Sequence, residues 1–166
     1  MNNNTLAFIA LSTEYCRTLE NAREMDSREE FLKEMTRLLP RIYISATDLV
    51  PDMAVLSEEP YMPNALDEDY YEAIRRNVEY LLEQDDTYLE VFDEDMKYSE
   101  TPIPMSISET LAAIFQPLFN FLSMVKDAPE SVVAEGVEAV KSDFDSYWSR
   151  KLCNVLRPLN ELRYGL

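Results

Sequence analysis

The chain has 166 residues, with 32 aspartates and glutamates against 15 lysines and arginines, no histidine, and a formal net charge of −17. That balance argues against direct nucleic-acid binding, which needs a basic face. The lack of histidine removes the commonest metal ligand and the commonest acid–base group at neutral pH. Only Gly136 and Gly165 are glycines, so a sheet-rich fold would lack its corner residues and no phosphate-cradling glycine loop can form.

Hydrophobic residues make up 46% and charged residues 28%, a globular balance for one domain spanning 1–166, long enough to bury roughly two-thirds of its unfolded surface. Cys16 and Cys153 have no metal-ligand or redox spacing, which fits a reducing compartment, the cytoplasm. Leu6 to Leu11 is short and follows three asparagines, unlike a signal peptide. No run approaches the ~20 apolar residues of a membrane span. The expectation is a chain with no membrane, cofactor or metal.

The spacing predicts a first helix from Thr5 to about Ala22, burying Leu6, Ile9, Tyr15, Cys16, Leu19 and Ala22. A second begins at Ser27, where Ser27 and Glu30 fit a capping box, and its apolar stripe continues across Pro40, predicting a kink. Pro51 ends it. Residues 52–65 read as a loop whose Met53, Val55, Leu56, Tyr61 and Met62 lie down on the protein. Asp67 caps a third helix, with Tyr70, Ile74, Val78, Leu81 and Leu82 inward and Glu72 pairing outward with Arg76. Its end at Asp85 and Asp86 is awkward, because acids suit a helix C-terminus poorly.

Tyr88 to Asp93 is apolar with no decided structure, and Asp93 to Met105 reads as a second loop. Ser106 and Glu109 open the central helix, where Leu111, Ile114, Phe115, Leu118, Phe121, Leu122 and Val125 form a broad stripe interrupted by Pro117. Pro129 suits the first turn of a fifth helix. Val132, Val133, Val137 and Val140 follow, then Phe144, Tyr147, Trp148, Leu152, Val155, Leu156 and Leu159, as one helix or two broken near Ser142. The fold class is therefore all-α: a single antiparallel bundle of five or six helices, some kinked by proline.

Tyr88 to Asp93, the Ser-x-x-Glu opening of the central helix, Phe144-Asp-Ser-Tyr-Trp148 and Val155-Leu156-Arg157 together resemble a family of small acidic all-helical bacterial proteins, frequent in Bacteroides-like bacteria and described only as a domain of unknown function. The resemblance implies the fold class and a bacterial cytoplasmic setting, and no activity. Family members carry histidines around the tryptophan, at positions held here by Tyr147, Ser149 and Lys151, so no histidine role carries over.

From Asp52 to Glu100 there are 16 acidic and 3 basic residues, a net −13, whereas 141–166 carries 5 basic and 3 acidic. The acidic stretch, interleaved with Tyr70, Tyr71, Tyr80, Tyr88, Phe92 and Asp93, is either a solvated face or a docking surface for a basic protein. Tyr147 and Trp148, beside Arg150, are either surface anchors or core. Asp93-Glu94-Asp95 suggests a calcium loop, but Lys97, Tyr98 and Pro104 stand where that loop wants a ligand, a glycine and a bidentate glutamate. Both thiols read as buried and inert. No residue is assigned a catalytic role. The expected function is a non-catalytic interaction or adaptor module with an acidic, aromatic-bearing face. The competing reading is an enzyme or small-molecule binder with a pocket at the Pro40 or Pro117 kink. An exposed apolar strip on the first or last helix would instead indicate a homodimer.

Overall fold

The computed structural model describes residues 1–51, 60–90 and 103–165. Among the described residues six α-helices carry the architecture: α1 (Asn3–Glu20), α2 (Arg28–Thr47), α3 (Glu68–Leu82), α4 (Ile107–Val125), α5 (Glu130–Asp143) and α6 (Ser149–Tyr164). A two-stranded antiparallel ribbon, β1 (Thr87–Glu90) with β2 (Ile103–Ser106), pairs Thr87 with Ser106 and Glu90 with Ile103. The bundle is thus predominantly helical. The ribbon makes residues 88–90 of the undecided run a strand and replaces the last residues of the predicted loop before Ser106. Phe92, Asp93 and the calcium reading at 93–95 lie outside the described residues, as do Met53, Val55 and Leu56.

Side-chain caps start four of the helices. Asn2 accepts from the Thr5 amide at 2.8 Å, Ser27 from Glu30, Asp67 from Tyr70 at 2.7 Å and Ser106 from Glu109 at 3.1 Å, each satisfying a donor the helix cannot. Pro129 sits one position earlier than predicted, just before α5. Gly165, at φ 71°, ends α6 in the left-handed conformation that glycine adopts without penalty. Pro40, Pro117 and Pro158 all lie inside helices that run on past them.

α4 is central, touching α1, α3, α5 and α6, while α2 packs on α1 and α6. Ile107, Leu111, Ile114, Phe115, Leu118 and Phe121 are fully buried along it, each such side chain contributing about 1.5–3 kcal/mol of transfer free energy. The α1 stripe needs correction. Phe8, Tyr15, Cys16 and Leu19 are buried with Thr5 and Ser12, and Leu6 is exposed. Two polar residues occupy the inward face, so apolar spacing alone drew the stripe too near Leu6.

Two further corrections concern side-chain partners. Arg75, not Arg76, pairs with Glu72, and it also pairs with Glu79, so one guanidinium lies between two carboxylates. Cys16 is buried as expected, but Cys153 is exposed, because its neighbour Leu152 takes the inward position of α6.

Candidate binding cleft at a π turn

α5 ends at Asp143, beside the expected break at Ser142, but the helical column continues. It runs into a π turn, Phe144–Trp148, where the Ser149 amide bonds the Phe144 carbonyl five residues back, and then directly into α6. In a regular α-helix a residue three positions on lies about 60° from the first. The wider π turn carries it further round, and such turns recur at functional sites. Here Phe144 and Trp148 both face the core while Tyr147 turns outward, 47% exposed.

Trp148 is 0% exposed, so its reading as a surface anchor is corrected: it is core. Its ring meets Phe144 edge-on at 4.6 Å and stacks near Phe8 at 6.5 Å. These ring contacts add to the area it buries and fix the turn that displays Tyr147.

Two concavities flank Tyr147 and share both Tyr147 and Ser146. The first, about 550 Å³, is floored by Ala113 and Pro117 of α4 and bounded by Tyr61, Gln116 and Asp143. It opens at one of the two prolines where a pocket was expected. The second, about 250 Å³, gathers Tyr88, Thr110, Tyr147, Arg150 and Lys151. Three predicted residues, Tyr88, Tyr147 and Arg150, therefore meet around one cleft. Tyr88 is mostly buried there, its hydroxyl 3.3 Å from Thr110 Oγ1, and the Lys151 ammonium stands 5.3 Å from the Tyr147 ring centroid.

The α3 tyrosines are placed elsewhere. Tyr70 is half-buried against Phe115 and Phe119, with its hydroxyl bonded to Glu20. Tyr71 donates to Glu109 Oε1 at 3.2 Å. Burial first, and then the adjacent carboxylate, pushes both phenols above their ordinary range. Their polar tips are committed within the protein. Tyr80 remains exposed on α3, with the Arg23 guanidinium 4.8 Å from its ring centroid.

Asp143 was not singled out from the sequence. Its half-buried carboxylate has no hydrogen bond or ion pair among the described residues, and burial raises its pKa. The Tyr147 phenol is raised too, by burial first, then by Asp143 and Glu109. The signal available in the sequence was the polar set Ser142, Asp143, Ser146 and Tyr147 at helical spacing. Among the described residues no three histidine, cysteine or acidic side chains converge to hold a metal, and no helix is long and apolar enough to cross a membrane.

The family described as a domain of unknown function, DUF5063, matches residues 1–165. The chain belongs to this family. The crystal structure of protein BF1032 from Bacteroides fragilis is similar to it at 26% identity, with a TM-score of 0.83 over 99% of this chain and 95% of that one. No functionally curated protein matches. The resemblance read from Tyr88 to Asp93 and from Phe144 to Trp148 is borne out at the level of family. In this DUF5063 member the tryptophan of that motif is structural, and its neighbour Tyr147 reaches solvent.

Proposed function

We propose that this protein is a non-catalytic cytoplasmic interaction module, acting as one domain, that receives its partner in the cleft beside Tyr147. One observation carries the reading: a helical column with a rigid aromatic core is widened at Phe144–Trp148, and the turn presents a tyrosine between two concavities. Binding sites are commonly concave, between helices, with a few converging polar groups. Cys16 and Cys153, both free thiols, support the cytoplasm as compartment.

A second reading keeps the adaptor surface on α3, favoured by the exposed Glu68, Asp69, Glu79 and Tyr80 and by Glu83 just after it. The two separate in one experiment, retention of partners from a bacterial lysate by the tagged full chain and two variants. The cleft reading expects Tyr147→Ala to abolish retention, with Glu68→Lys/Glu79→Lys behaving as wild type. The reverse pattern, with retention collapsing at high salt, transfers the function to a basic protein on α3.

A further inference from the structure

We propose that the cleft between Tyr61 and Tyr147 is a site for an organic ammonium group, with the Asp143 carboxylate as counter-charge and the two phenol rings as the aromatic wall. This rests on the reading of that cleft as the binding site and adds the chemistry of what enters it.

Among the described residues the lining contains no lysine or arginine and one carboxylate, Asp143, which is half-buried and has no partner among them. A carboxylate held from water without a cation is a standing cost, and a cation brought beside it removes that cost. Tyr61 is 67% exposed and Tyr147 47%, which leaves aromatic surface open at both. Ring faces attract alkylammonium groups. Tyr147 already does so toward the second cleft, where Lys151 stands.

The floor completes the match. Met62, Ala113 and Pro117 are apolar and suit the alkyl shell of an ammonium, whereas a calcium ion requires six to eight oxygen ligands. A net charge of −17 also raises the local concentration of any cation approaching the surface.

Calorimetric titration of the full chain with choline, with N-acetyl-lysine methylamide and with 3,3-dimethylbutan-1-ol, the neutral isostere of choline, tests the assignment. The expected result is saturable binding of at least one ammonium compound, roughly tenfold tighter than the neutral alcohol. Asp143→Asn and Tyr147→Ala should each weaken it roughly tenfold with neither lowering the melting temperature, and Tyr147→Phe should preserve it because the ring remains. Tighter binding of choline identifies a free base as the source, and tighter binding of the lysine amide a side chain of a basic protein. Equal affinity for the alcohol, or no saturation by either ammonium compound, overturns the assignment. In that case, loss of partner retention by Tyr147→Ala leaves the cleft as the binding site for other chemistry, and unchanged retention removes the cleft reading as well.

Discussion

The Asp86 carboxylate accepts a hydrogen bond from the Ser108 backbone amide at 2.7 Å, joining the turn that follows α3 to the beginning of the central helix. Its other oxygen accepts from the hydroxyls of Ser108 at 2.6 Å and Ser106 at 2.9 Å. An acid that looks misplaced at the end of α3 is therefore a buried carboxylate at the N-terminus of α4, where the macrodipole favours an acidic side chain. Asp86→Ala leaves these donors without their acceptor and should cost about 1–3 kcal/mol. Urea denaturation reads this as a lower midpoint at unchanged slope. An unchanged midpoint would mean that the cap contributes nothing.

Alkaline stability follows from buried hydroxyls and a buried thiol. Tyr15, which donates to the Leu111 carbonyl at 2.6 Å, is held well above the ordinary phenol pKa by burial, and Cys16 is likewise raised. A folded pKa above the unfolded one gives stability that is fully present below the unfolded value and is lost as pH rises toward the folded one. Melting temperature should therefore fall from about pH 9 upward. Tyr15→Phe should cost about 0.5–1.5 kcal/mol at pH 7 and make that alkaline fall shallower. A melting temperature flat to pH 11, about one unit past the ordinary phenol pKa, would contradict the assignment.

Asp143 behaves in the same sense from the acid side. Because burial raises its folded pKa, its contribution is present below the ordinary carboxylate range and is lost as pH climbs through the raised value. Asp143→Asn should accordingly raise the melting temperature at pH 7 relative to wild type. The gain should vanish by about pH 3, below the usual aspartate pKa. A destabilised variant at pH 7 would show that the carboxylate is already paired.

Close packing of α5 on α4 depends on Gly136. A Cβ there would lie 3.1 Å from Val125 Cγ1 and 3.4 Å from Met124 Sδ. Gly136→Val should destabilise by about 1–3 kcal/mol through overpacking. In Gly136→Ala the crowding is offset by a gain in helix propensity of about 1 kcal/mol, leaving stability close to wild type. Thermal melts of the two variants decide this, and equal stability of valine and alanine would refute the crowding.

The central helix was legible because its stripe is broad and its caps, Ser106 and Glu109, are local in sequence. The α1 face was misread because Thr5 and Ser12 are buried against expectation, and spacing rules count only apolar residues. Trp148 and Tyr147 are adjacent, and nothing in their order announces a π turn, in which Phe144 and Trp148 pack on each other and Trp148 on Phe8. Asp143 stayed hidden for a related reason. One acid among 32 acquires meaning only from how far the fold withdraws it from water and from what stands beside it.

The most direct measurement is a ¹H–¹⁵N correlation spectrum of the full chain titrated with choline and, separately, with N-acetyl-lysine methylamide, at least one of which should bind. Binding at the cleft predicts saturable shifts concentrated on the amides of residues 139–147 and of Ala113, Gln116 and Asn120, with α3 unmoved. Shifts confined to Glu68–Leu82, or none that saturate, would contradict it.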